Sequence, residues 1–108
     1  MAQIDADADV ATLINVFTVK PENQQKLVDM LVEATQTTMR HLPGFVSASI
    51  HKSADGQRVT NYAQWRTSED FQAMLKDPRA AEHMKPITEI ATYDAHLYAV
   101  IDSITISN

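Results

Sequence analysis

The stretch FVSASIHKSADGQRVTNYAQW, residues 45–65, decides the fold. It holds two runs rich in β-branched and aromatic residues, separated by Ala54-Asp55-Gly56-Gln57. An Asp-Gly pair between two such runs marks a β-hairpin, because glycine reaches the positive φ that a tight turn demands. In the first run Val46, Ala48 and Ile50 alternate with Phe45, Ser47, Ser49 and His51. In the second, Val59, Asn61, Ala63 and Trp65 alternate with Arg58, Thr60, Tyr62 and Gln64.

Helical patterns flank the hairpin on both sides. Upstream, PENQQKLVDMLVEATQTTMRHL (21–42) opens on proline and spaces Leu27, Met30, Leu31, Ala34 and Thr38 at helical intervals. It stops at Pro43-Gly44. Downstream, TSEDFQAML (67–75) has Thr67 and Asp70 in capping-box spacing and an apolar stripe of Phe71, Met74 and Leu75. Lys76-Asp77-Pro78 breaks this helix, and a further piece carries Ala81, Met84, Ile87 and Ile90. Pro86 predicts irregularity there, since proline removes a helical hydrogen bond.

Two more strands complete the order. ATLINVFTV (11–19) sets Leu13, Asn15, Phe17 and Val19 on one face, and Thr12, Ile14, Val16 and Thr18 on the other. YDAHLYAVIDSI (93–104) alternates Leu97, Ala99 and Ile101 against His96, Tyr98 and Val100. The sequence therefore predicts an α+β domain of ferredoxin-like order, β-α-β-β-α-β, with a four-stranded antiparallel sheet. Helices cover one sheet face. The other still carries apolar side chains, and a second copy is its economical cover, so a homodimer is expected, with apposed sheet faces enclosing a cavity in or beside each subunit. Residues 1–10 read as a mobile acidic tail, 11–104 as one domain and 105–108 as a C-terminal tail.

Composition narrows the function. The 108 residues carry a net charge of −5, and Asp5, Asp7 and Asp9 supply three of the negative charges near the N-terminus. No Lys/Arg stripe exists to neutralise phosphates, which argues against nucleic acid. The absence of cysteine excludes disulfides and thiolate chemistry and fits a reducing cytoplasm. Neither a basic leader nor a membrane-spanning apolar run is visible, so no membrane association is expected. Gly44 and Gly56 are the two glycines and both fall at turns, so no phosphate cradle and no flavin or nicotinamide site is expected. His41, His51, His83 and His96 form no metal-binding spacing. His83, in the irregular second helical region, is the candidate acid or base of the four.

Asn15 and Asn61 are the sharpest anomalies, since each interrupts an apolar strand row. A buried amide costs a few kcal/mol unless it is hydrogen-bonded. Either the two satisfy a bulge or each other, with Trp65 as plain core, or they are directed hydrogen-bonding groups in an apolar pocket. The second reading suits a flat, oxygenated organic molecule.

The phrases INVFTVKPENQQKLVDMLVEA, HLPGFVSASIHKSADG, NYAQWRTSEDFQAML and DPRAAEHMKPI resemble the antibiotic biosynthesis monooxygenase family of dimeric α/β barrels, over roughly residues 11–102. The resemblance implies a cofactor-independent monooxygenase acting with dioxygen on a small aromatic or quinol-like compound. It casts Asn61 and Trp65 as the catalytic pair, with Asn15 or His83 assisting proton transfer, and Phe17, Val59, Phe71, Met74 and Lys85 as substrate-binding residues. Two positions depart from the anthrone-oxidising members: Phe71 stands where they carry a tyrosine, and Lys85 about where they carry an arginine. The haem-degrading branch is matched at Asn15 and His83, while Met74 falls near its helix-two tryptophan. Haem binding or degradation is thus a third reading, after a non-catalytic binding dimer.

Overall fold

The structure, a computed structural model, describes residues 2–106. In chain order these form β1 (Ala11–Val19), α1 (Gln24–Thr37), β2 (Phe45–Lys52), β3 (Arg58–Trp65), α2 (Ser68–Leu75), α3 (Pro78–Ile90) and β4 (Ala91–Tyr98). Short 3-10 turns sit at Pro21–Asn23 and Met39–His41. The strands pair in the order β2-β3-β1-β4, each pair antiparallel. That is the ferredoxin-like order expected. Among the described residues, no helix is long and apolar enough to cross a membrane.

Local chemistry explains the elements. Pro21 opens the turn that leads into α1, and the Gln24 side chain donates to the Ser53 and Arg58 carbonyls at 3.0 Å each, tying the helix start to the β2–β3 hairpin. Leu27, Leu31 and Ala34 are the buried stripe of α1. Thr67 caps α2, its hydroxyl accepting from the Asp70 N–H at 3.0 Å. Asp77 caps α3 by accepting from the Arg79 N–H, and the Arg79 guanidinium holds its carboxyl down at about 2. This contribution to the cap is present above the ordinary aspartate range and is lost as pH falls through about 2.

The helix-side rows are Leu13, Asn15, Phe17 and Val19 on β1 and Val59, Asn61, Ala63 and Trp65 on β3. Their apolar members form two separate core clusters. Phe17, Val19 and Val59 pack with Leu27, Leu31 and Ile87; Leu13, Ala63 and Trp65 pack with Leu42 and Phe71. Burying such side chains is the main stabilising term, about 1.5–3 kcal/mol for each large one.

Three expectations change. Strict alternation in β2 fails, because the register shifts between Phe45 and Ser47. This bulge leaves Val46 45% exposed and brings Phe45 to the helix side against Trp65, at 5.5 Å between ring centroids. The last strand spans 91–98 rather than 93–104. Its ladder partner β1 begins at Ala11, so residues beyond Tyr98 have no strand to pair with. Pro86 does not interrupt α3; it lies exposed, and the Glu82 carbonyl it cannot bond is on an exposed residue. Within residues 2–10, read as a tail, the Gln3 carbonyl accepts from Gln64 Nε2 at 2.6 Å. Met1 of that tail, and residues 107 and 108 of the expected C-terminal tail, lie outside the described residues.

Gly44 and Gly56 both have positive φ, at +83° and +80°, but their surroundings differ. A Cβ on Gly44 would collide with the Asp70 side chain, whereas one on Gly56 would meet Pro21 at an ordinary 3.5 Å. Gly44→Ala is therefore expected to lower unfolding free energy by about 2–3 kcal/mol and Gly56→Ala by about 1 kcal/mol. Urea denaturation of the two variants checks the ranking.

Candidate active site

The register between β1 and β3 sets Asn15 directly opposite Asn61. Each amide sits between the two core clusters. Asn15 separates Leu13 from Phe17, and Asn61 separates Val59 from Ala63. Where the clusters fail to merge, a cavity of about 370 Å³ opens between the sheet and the helices. That volume is at the small end of the range for small-molecule sites.

The cavity thus lies inside one subunit, under its own helices. Of the two expected placements, in or beside each subunit, it takes the first, walled by the subunit's own helices. Parity could say which residues share a face, but not which face the helices would cover.

Seven of the nine expected site residues line the cavity: Asn15, Phe17, Asn61, Trp65, Phe71, Met74 and Lys85. Val59 does not; at 0% exposure it is fully enclosed in the core beside Phe17 and Leu27. His83 does not either. The face of α3 toward the cavity holds Ala80, Ala81, Met84, Lys85 and Thr88, and position 83 falls to its flank, facing α1. There His83 Nε2 hydrogen-bonds Thr38 Oγ1 at 2.9 Å. The remaining histidines, His41, His51 and His96, are exposed, and His96 pairs with Asp94 at 2.7 Å.

The cavity's deep end is defined by unmet hydrogen-bonding capacity. Asn15 Oδ1, Asn61 Oδ1 and Trp65 Nε1 are buried without a partner. Trp65 is 2% exposed, and its ring is held edge-on by Phe45 and by Phe71, the latter at 6.3 Å between centroids. The indole N–H can only donate, while each amide both donates and accepts. Orphaned buried groups of this kind are rare and call for a partner. Here a flat molecule bearing hydroxyl or carbonyl oxygen would supply it.

Apart from Thr35, Lys85, Thr88 and Tyr93, the remaining walls are apolar, and no carboxylate or imidazole is among the lining residues. Among the described residues, no group of three or more His, Asp or Glu side chains is placed to hold a metal ion.

Several lining residues escaped the sequence reading. Tyr93 and Ala95 of β4 share the parity of Leu97, which was a usable signal. Leu31 was legible only as helix core. Phe45 reaches the cavity through the β2 bulge, which nothing in the residue pattern announces.

A model of the antibiotic biosynthesis monooxygenase family matches residues 11–86. Over 83 residues the chain is 54% identical to the tetracenomycin-F1 monooxygenase of Streptomyces glaucescens, covering 77% of this chain and 74% of that one. Among solved structures, the monooxygenase from the ActVA-Orf6 gene of Streptomyces coelicolor, in complex with nanaomycin D, is similar at a TM-score of 0.81. It is 30% identical, covering 95% of this chain and 96% of that one. SnoaB, a cofactor-independent oxygenase of Streptomyces nogalater, shares the fold at a TM-score of 0.74 and 22% identity, covering 90% and 98%.

Because the Asn61 amide oxygen is left unpaired in the free protein, Asn61→Val is expected to raise stability by about 1 kcal/mol while emptying the site of that group. Thermal or urea unfolding of the variant against the parent checks this.

Proposed function

The chain belongs to the antibiotic biosynthesis monooxygenase family, and we propose that it is a cofactor-independent monooxygenase that oxidises a small, oxygenated aromatic, such as an anthrone or quinol-like compound, with dioxygen. One observation carries the reading: three orphaned polar atoms, on Asn15, Asn61 and Trp65, at the deep end of an apolar cavity. The relatives support the substrate class. One acts on tetracenomycin F1, and another was solved with nanaomycin D.

The chemistry follows for an anthrone. Loss of a proton from its methylene gives an anion whose charge rests on the ring oxygen. The Trp65 N–H and an Asn61 or Asn15 N–H stabilise that oxyanion, and the apolar walls strengthen the interaction by excluding water. Such an anion is electron-rich enough to reduce dioxygen directly. A C–O bond forms, and the resulting hydroperoxide loses water to give the ketone. The methylene carbon gives up four electrons; one oxygen atom of O2 ends in the product and the other in water. The electrons come from the substrate, so the reaction as written needs no prosthetic group. With no carboxylate or imidazole lining the cavity, the proton leaves to solvent rather than to His83.

The same reading includes a homodimer. The sheet face away from the helices carries half-buried Ile14 and Val16 and exposed Tyr98, and exposed Ile101 and Ile104 follow the last strand. A second copy is the economical cover for these side chains. A non-catalytic binding dimer is favoured only by Phe71, whose ring packs on Trp65 without offering a hydroxyl. The haem reading is not carried forward, because His83 turns away from the cavity that Asn15 lines.

An aerobic assay with an anthrone, in the presence of a chelator, is expected to show quinone formation with one O2 consumed per turnover. Asn61→Ala and Trp65→Phe should each lower kcat by roughly 10²-fold, the usual effect of removing one oxyanion donor. Binding without acceleration over buffer across a panel of anthrones and dihydroquinones would establish the binding dimer instead. Sedimentation equilibrium at micromolar protein is expected to give the mass of two chains; a well-folded monomer would contradict the dimer.

A further inference from the structure

The two layers that wall the cavity bring different chemistry to it. The sheet supplies hydrogen-bonding groups, Asn15 on β1 and Asn61 and Trp65 on β3. The helix layer supplies sulfur: Met39 in the turn after α1, Met74 on α2 and Met84 on α3 all line the same space. Met30, on α1, is half-buried like these three, but it packs into the Phe17 cluster and does not line the cavity. Met39 and Met74 pack on the cluster of Trp65 and Phe71, and Met84 packs on that of Phe17. Since Asn15 and Asn61 sit between those clusters, thioethers flank the amide pair on both sides.

As filler for an apolar wall, methionine has no advantage over leucine, which takes nearly the same volume. Sulfur differs in its chemistry. With no cysteine in the chain and no imidazole in the lining, the thioethers are the groups there most nucleophilic toward a peroxide. The proposed reaction forms a hydroperoxide in this space. To become the ketone it must lose the remaining proton on its carbon together with water, a step that a general base speeds. No carboxylate or imidazole lines the cavity to act as that base. The hydroperoxide is thus left to persist among three thioethers.

We propose that Met39, Met74 and Met84 are oxygen-acceptor sites for an aromatic hydroperoxide held in the cavity. This rests on the reading of the cavity as the substrate site and deepens it. A thioether lone pair attacks the outer peroxide oxygen. The O–O bond breaks, an S=O bond forms, and the inner oxygen leaves with the hydroperoxide proton, giving a hydroxyanthrone in place of the quinone. Sulfur gives up two electrons and the peroxide takes them, so dioxygen remains the only oxidant. The sulfoxide sets a polar S=O group into an apolar wall and ends the site's fitness for its ligand, until reduction restores the thioether.

The test is aerobic turnover of an anthrone under 18O2, with catalase present, followed by peptide mass spectrometry. An 18O-labelled sulfoxide is expected on Met39, Met74 or Met84 and not on Met30, rising in step with loss of activity. Methionine sulfoxide reductases should restore the lost rate. A variant combining Met39→Leu, Met74→Leu and Met84→Leu should complete several-fold more turnovers before it fails, whatever its initial rate. A second arm needs no turnover: cumene hydroperoxide should oxidise the three ahead of Met30, and saturating anthraquinone should slow this. Label missing from the three after many turnovers, or spread equally to Met30, would overturn the inference and leave the reaction standing. A protein that oxidises no anthrone, yet shows the anthraquinone-blocked pattern with cumene hydroperoxide, would sink the proposed reaction and leave the acceptor sites standing. Oxidation by cumene hydroperoxide that favours none of the three and ignores anthraquinone would overturn the acceptor sites.

Discussion

The antiparallel register between β1 and β3 is the constraint on which the site depends. It sets Asn15 and Asn61 side by side on the face that the helices cover, in rows that are otherwise apolar. A one-residue slip would turn both rows to the other face, carrying the amides away from the helices and the core side chains with them. The same pairing that buries Phe17, Val59, Leu13 and Ala63 thus fixes the polar pair between them. Stability and site geometry are consequences of one set of hydrogen bonds.

The amides also explain why there is a cavity at all. Had both positions been aliphatic, the cluster around Phe17 and the cluster around Trp65 could have closed into one core. Two carboxamides facing each other across neighbouring strands deny that closure, and the helix layer spans the gap instead. Trp65 contributes differently. Its ring is fixed between Phe45 and Phe71, so the indole N–H is held in place before any ligand arrives. Preorganised donors of this kind need no rearrangement when charge develops on a bound oxygen. The cost is borne by the free protein, which leaves three buried polar atoms of its cavity unsatisfied.

Much of this was legible in the residues, and the failures have physical causes. The hairpin was signalled by Asp55-Gly56, and the Thr67 cap by its spacing to Asp70. The anomaly of Asn15 and Asn61 was visible from parity alone. Parity could not say which sheet face the helices would take, so the cavity was expected in or beside each subunit without its wall being assigned to the helices. It also failed locally at the β2 bulge, which moves Phe45 into the site and Val46 out of it. His83 drew notice for its chemistry, yet helical azimuth turns it toward Thr38, a matter of which neighbours α3 finds. Tyr93 had the right parity and was passed over because its strand was read from its apolar members.

The central claim is that the buried indole N–H of Trp65 waits for an oxygen of an aromatic ligand. Since the chain has one tryptophan, its indole gives a single, unambiguous 15N–1H resonance. On titration with anthraquinone, that resonance is expected to move downfield and saturate with ligand occupancy, as a free N–H becomes a hydrogen-bonded one. A ligand that binds while the indole resonance stays in place would contradict the account.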